Sequence, residues 1–186
     1  MIDFTIPDEI EKLKETTQKF ILENVIPREK DPRQDAHGPH DSLRKELNKE
    51  AKSLGILSPS VGKEWGGLGL NMRDMSVIFE ASGYSLLGPQ AMNCSAPDTG
   101  NMEIIHKFGT PDQKKRFLEP LMNKDIRSAY AMTEPGVASS DATNISTRIE
   151  EDGDDLVING HKWWISGAIR PECKLLVVMG KSRFDG

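Results

Sequence analysis

The chain has 186 residues, 37% of them hydrophobic and 28% charged, which is enough apolar material for one generous domain or two modest ones. Lys and Arg number 24 against 29 Asp and Glu, a net charge of −5, so an extended nucleic-acid surface is not expected. No apolar run approaches a membrane span, and the acidic, amphipathic start MIDFTIPDEIEK is unlike a targeting peptide.

The first 125 residues read as helices joined by Gly/Pro loops. Pro7–Val25 repeats apolar residues at helical spacing (Ile10, Leu13, Thr17, Phe20, Ile21, Val25) and is expected to stop at Pro27. Glu29–Pro39 reads as a polar loop. A second helix is expected over Asp41–Leu54, ending at Gly55, followed by the glycine-rich turn Glu64–Leu70. The third covers Met72–Leu87, with Asn71 placed to cap it and Met75, Ile78, Phe79 and Ser82 on one face. The fourth covers Thr99–Lys107. The fifth opens on Thr110-Pro111-Asp112-Gln113, which combines an N-cap, a proline in the first turn and a capping-box glutamine, and runs to Asn123.

After Asp125 the texture changes to strands: Ser128–Thr133, Thr143–Ile149, Leu156–Ile158, Lys162–Ser166 and Lys174–Met179. Asp152-Gly153-Asp154 and Asn159-Gly160 read as hairpin turns. Helices first and strands after make an α+β protein, with a helical domain over 1–125 and a β-domain beginning at 126. A sheet with so few strands would keep an exposed edge and half a core, so the chain reads as truncated within its β-domain after Phe184-Asp185-Gly186.

Cys94 and Cys173 stand far apart in no metal-like spacing, and free thiols in a reducing compartment are the expectation. His37, His40, His106 and His161 form no zinc-binding pattern, so no metal site is expected. The common phosphate-binding glycine loops are absent. Two segments carry the interest instead. Tyr130-Ala131-Met132-Thr133-Glu134-Pro135-Gly136-Val137-Ala138-Ser139-Ser140-Asp141 leaves a strand through a turn of small residues. Such a loop can aim backbone N–H groups and hydroxyls at one anion, although on pattern alone an ordinary turn is the commoner use. In Gly160–Gly167 (GHKWWISG), strand alternation would put Trp164 and Ser166 on one face and Trp163 with Ile165 on the other. That face would offer an aromatic plane beside a hydroxyl, suited to a flat heteroaromatic ring. On the bare pattern, a pair of core tryptophans in a hairpin is the commoner reading.

These segments resemble the acyl-CoA dehydrogenase family, in which a strand ending in TEPGxGSD is followed by ING-x-K-x-W-[IV]-[ST]. The counterparts are Thr133-Glu134-Pro135-Gly136…Ser140-Asp141 and Ile158–Ser166. Glu64–Leu70 and Phe108-Gly109-Thr110…Gln113-Lys114…Phe117-Leu118…Pro120-Leu121 also match, so the resemblance spans essentially the whole chain. Ala96–Glu103 and the Val137–Asn144 variant look like the animal branch that carries a fused kinase-like domain. One departure is the loop Gly136–Asp141, a residue longer than the family's GxGSD and with alanine where glycine is common.

The resemblance implies an acyl-CoA dehydrogenase-like fold and FAD as cofactor. It implies an FAD-dependent oxidation of acyl-CoA to trans-2-enoyl-CoA, with an electron-transfer flavoprotein or similar acceptor as partner. It also implies a homo-oligomer, a dimer or tetramer, and a place in fatty-acid β-oxidation. Tyr130, Ala131, Met132 and Thr133 would bond the pyrimidine side of the flavin. The Val137, Ala138, Ser139 and Ser140 loop would pass the pyrophosphate, with Ser140 also near the CoA arm. Trp164 and Ile165 would flank the ring, and the Ser166 hydroxyl would reach N5. The catalytic carboxylate is expected beyond Gly186, and Glu134 is expected to be structural. An acyl-CoA oxidase, a flavin monooxygenase on the same scaffold, or a non-catalytic acyl-CoA-binding fragment are the alternatives. With no targeting segment in view the expected compartment is cytoplasmic; a longer precursor would open a mitochondrial one.

Overall fold

The structure is a computed structural model that describes residues 5–35 and 38–182. Ala36, His37 and the ends, including Phe184-Asp185-Gly186, lie outside the described residues. The chain divides into two compact units, 1–125 and 126–186, in a helical-then-strand order.

In the first unit, α1 (Asp8–Phe20) buries Ile10, Thr17 and Phe20, the stripe its spacing anticipates. The helix does not stop before Pro27. It widens into a π-helical turn over Ile21–Val25, in which Ile26 N–H reaches the Ile21 carbonyl, and continues as a 3₁₀ turn over Ile26–Lys30. Proline lacks a donor and crowds the carbonyl four residues back, and a wider turn relieves both problems without ending the helix. The same device recurs before Pro120. There α6 (Pro111–Gln113), a π-turn over Lys114–Leu118 and α7 (Glu119–Met122) follow one another without a break. The Thr110 cap is present in both directions: Gln113 N–H donates to Thr110 Oγ1 at 3.2 Å, and Thr110 N–H donates to Gln113 Oε1 at 2.9 Å.

The loop expected over Glu29–Pro39 holds the end of that 3₁₀ turn and two short antiparallel strands, β1 (Gln34–Asp35) and β2 (Gly38–Pro39). Further on, α2 (Asp41–Ser53) buries Leu43, Leu47 and Ala51, and Asn48 donates to the carbonyls of Gln90 and Ala91, tying it to α4 (Gly88–Ala91). Asn71 caps α3 (Met72–Ser82) by accepting from Asp74 N–H. This helix ends at Ser82, short of the expected Leu87, because the Ser82 hydroxyl bonds back to Phe79 O and Gly83 caps the last turn. In the glycine-rich turn before α3, a Cβ on Gly67 would come within 2.1 Å of the Val61 carbonyl, so only glycine admits that approach. Asp98–Phe108 forms α5. Phe20, Ile21, Leu43, Leu47, Ile56, Ile78, Leu87 and Met92 are fully buried in one continuous core, each contributing about 1.5–3 kcal/mol by burial.

The second unit is built from two strand pairs. β3 (Arg127–Ala131) runs parallel to β6 (Cys173–Val178), with Ala131 opposite Val178. β4 (Arg148–Asp152) and β5 (Asp155–Asn159) form an antiparallel hairpin that turns at Gly153-Asp154. Two of the expected strands are corrected. Thr143–Ile149 is extended only from Arg148, because the Asp141 carboxylate takes the N–H and hydroxyl of Thr143 and winds Ala142–Asn144 into a 3₁₀ turn. Lys162–Ser166 is not a strand, nor is Asn159-Gly160 a hairpin turn; the cause lies in the contacts of Lys162 and the backbone of Trp164 described below.

Candidate functional site

Thr133 emerges at the end of β3, exposed, and its carbonyl accepts the backbone N–H of Trp163 at 3.1 Å. The two family-like segments of this unit, thirty residues apart in sequence, therefore meet directly. Lys162, just before Trp163, turns inward. Its ammonium donates to Met132 O and to Glu134 Oε1, both at 2.8 Å. Trp164 takes a left-handed backbone with φ of 53°, which ends the extended alternation. The two indoles consequently stack on each other, with centroids 4.5 Å apart and planes 5° from parallel. The expectation that Trp163 and Trp164 occupy opposite strand faces, with Trp164 paired to Ser166, is corrected by this geometry. What is exposed is one stacked aromatic pair, with Trp164 80% accessible.

Glu134 is buried at 4% exposure and is the hub of the unit. Its Oε2 accepts from Ser146 N–H at 2.7 Å and the Ser146 hydroxyl at 2.5 Å. Its Oε1 accepts from Thr147 N–H at 2.9 Å, the Thr147 hydroxyl at 2.5 Å and Lys162. Burial alone would push its pKa up, but the Lys162 ammonium and the Ser146 and Thr147 donors outweigh that and hold it far below the usual carboxylate range. Gly160 packs directly on this network, since a Cβ there would fall 2.2 Å from Thr147 Oγ1.

The remaining expected residues divide by exposure. Tyr130 is half-buried, its hydroxyl on Met179 Sδ at 3.3 Å, while Ala131 is buried and accepts Met179 N–H. Met132, Val137 and Ile165 are half-buried. Ala138, Ser140 and Ser166 are exposed. Ser139 is turned inward, its hydroxyl accepting Glu134 N–H at 2.9 Å and its own N–H donating to Val137 O. Thr133, Ser140 and Ser166 are exposed residues whose hydroxyls are engaged by no hydrogen bond among the described residues. Lys162, Ser146 and Thr147 received no role from the sequence; the only trace was the lysine in the hairpin motif, two residues after the glycine. Among the described residues no group of three His, Cys, Asp or Glu side chains is placed to hold a metal ion, and no helix is long and apolar enough to cross a membrane.

Residues 7–125 match the model of the acyl-CoA dehydrogenase N-terminal domain, and residues 129–186 match that of the acyl-CoA dehydrogenase middle domain. The chain belongs to the acyl-CoA dehydrogenase family. It is 43% identical to a probable acyl-CoA dehydrogenase, FadE2, of Mycobacterium tuberculosis, over 99% of this chain and 46% of that protein. It is 42% identical to acyl-CoA dehydrogenase family member 11 of Gallus gallus, over 89% of this chain and 22% of that one. Among solved structures, a putative acyl-CoA dehydrogenase from Mycobacterium abscessus superposes with a TM-score of 0.83 at 36% identity, covering 95% of this chain and 46% of that one. An acyl-CoA dehydrogenase complexed with FAD from Bacillus anthracis superposes at 0.66 and 28% identity, over 97% of this chain and 30% of that one. The α+β organisation is thus an acyl-CoA dehydrogenase-like fold, and the chain spans less than half the length of these relatives.

Proposed function

We propose that this chain supplies the N-terminal and middle regions of an FAD-dependent acyl-CoA dehydrogenase that oxidises acyl-CoA to the trans-2-enoyl-CoA. The observation that carries the reading is the exposed Trp163–Trp164 stack, bonded to the end of β3 beside unengaged hydroxyls. A flat, polar-edged ring system needs such a surface: an aromatic plane on one side and donors at its rim. The donor set fits, because Thr133, Ser140 and Ser166 all keep free hydroxyls, and family membership together with an FAD-bound relative supports the choice of ring.

When bound, FAD would supply the redox chemistry, accepting the β-hydrogen of the acyl group as hydride while a carboxylate takes the α-proton. The chain's own residues would bind and orient. Thr133 and the neighbouring Tyr130, Ala131 and Met132 would hold the pyrimidine edge. The Val137–Ser140 loop would lie along the phosphates, with Ser140 reaching the CoA arm. The tryptophan stack and Ile165 would flank the ring, and Ser166 would donate near the reactive nitrogen. Glu134 cannot remove a proton, because both its oxygens are saturated by donors. The proton-abstracting carboxylate is therefore a different residue. Electrons would pass to an electron-transfer flavoprotein, and the working form would be a homo-oligomer.

The test is spectroscopic. The holoprotein should carry a visible flavin band that bleaches anaerobically on adding acyl-CoA. A protein that takes up no flavin, or whose flavin ignores acyl-CoAs of every chain length, would overturn the proposal.

A further inference from the structure

The face just described rests on a buried charge network that catalysis does not use. Glu134 directly follows Thr133, and Lys162 directly precedes Trp163. Their ion pair, 2.8 Å long with side chains 2% and 13% exposed, sits behind the point where Trp163 N–H meets Thr133 O. Lys162 makes a second bond to Met132 O, so one ammonium grips the segment leaving β3 on both sides of Thr133, at Met132 and at Glu134. The Glu134 carboxylate reaches onward to Ser146 and Thr147 at the root of the β4–β5 hairpin. Three separated chain segments converge on one carboxylate. A buried ion pair adds little net stability over an apolar pair of similar size, because desolvation offsets the attraction. What it does supply is a unique arrangement, since every oxygen and ammonium proton must find its own partner.

We propose that Glu134 and Lys162 form a positioning clamp that sets the Trp163–Trp164 stack against the Thr133 end of β3 and so shapes the flavin-contacting face. The inference rests on the reading of that face as a flavin surface, but its geometric half is independent of any ligand. The clamp holds Trp163 through the backbone: with Lys162 drawn inward, the next residue must present its N–H to Thr133, and Trp164 can close onto its neighbour.

Stacked indoles couple electronically, so the pair should produce an exciton couplet in the far-ultraviolet circular dichroism of the ligand-free protein. The variants are Glu134→Gln, Lys162→Met, the two combined, and Lys162→Arg. Glu134→Gln and Lys162→Met should each abolish the couplet. In the holoprotein they should weaken FAD binding about ten- to hundredfold, the scale of losing one charged hydrogen bond. The combined variant, which removes both charges and leaves neither uncompensated, should fold and bind FAD no worse than the weaker single variant. Lys162→Arg, which keeps charge and donors, should restore much of the couplet and of the affinity. A couplet and an FAD affinity that survive in Glu134→Gln, Lys162→Met and the combined variant would sink the clamp. A wild-type protein that binds no FAD would sink the functional reading instead, leaving the couplet to decide the clamp.

Discussion

The two units of this chain are held together by different physics. The helical unit closes around hydrocarbon: Leu43, Leu47, Ile56, Ile78, Leu87 and Met92 are fully buried and contiguous. In the strand unit the buried apolar residues among those described are Ala129, Ala131 and Ile145, whereas Arg127, Ser128, Glu134, Ser139 and Thr147 are buried and polar. Leu156, Ile158, Trp164, Ile169 and Leu176 meanwhile stand exposed. Among the described residues of this unit, order comes from a saturated polar hub. The two kinds of order have different uses. Apolar packing is forgiving of small shape changes, whereas the Glu134 network dictates where each backbone segment goes. The candidate site lies on the second kind.

That contrast can be broken most severely at the hub. Lys162→Met leaves the Glu134 carboxylate buried without its cation and should cost about 3–5 kcal/mol of local stability. Amide exchange should localise the loss to residues 126–182, with the helices of 1–125 retaining their protection. Equal loss in both units would show that they are not independently ordered. Leu47→Ala is the mirror experiment. It opens a cavity in the helical core and should cost about 2–5 kcal/mol in chemical denaturation, whereas Leu156→Ala, at a 65% exposed position, should change stability by less than about 0.5 kcal/mol.

Acid sharpens the comparison. The folded-state pKa of Glu134 is depressed, so its contribution is present above the unfolded-state value and is lost only as pH falls through the lower folded one. The strand unit should therefore keep its amide protection through pH 4.5, the ordinary glutamate value, and a carboxyl titration with midpoint there would contradict the network. At the small end, Thr110→Ala removes the capping box and should cost about 1 kcal/mol, read as a modest drop in the melting temperature of the helical unit. Thiol chemistry separates the units with no change in stability. Burial pushes the Cys94 thiol up to about 11, so at neutral pH a thiol reagent should label the half-buried Cys173 well before it.

Much of the helical unit was legible in order of residues because its determinants are local. The stripe Ile10, Thr17, Phe20, Ile21 and Val25 follows from helical spacing, and the caps at Asn71 and Thr110 involve partners three residues away. The misread endings have local causes of a subtler kind. At Pro27 a π-turn absorbs the missing donor, as another does before Pro120 inside the helix expected to run on to Asn123, and proline reads as a stop only if the preceding turn stays α-helical. In the strand unit the hairpin at Gly153 was visible from its turn residues, while the path of Gly160–Ser166 was not.

The sequence by itself determined the order of helices before strands, the helical core face, the capping residues and the two segments that mark the family. Tertiary structure decided how those two segments meet. Glu134 finds its partners 12, 13 and 28 residues along the chain, at Ser146, Thr147 and Lys162. No periodicity encodes such distances. The inward turn of Lys162 converts a stretch that reads as a strand into a left-handed step at Trp164, and two indoles expected on opposite faces become one stack. The physical reason is the cost of leaving a buried carboxylate unsatisfied: meeting it takes backbone N–H groups from Ser146 and Thr147 and an ammonium from beside Trp163, and that demand overrides the local preference for an extended chain.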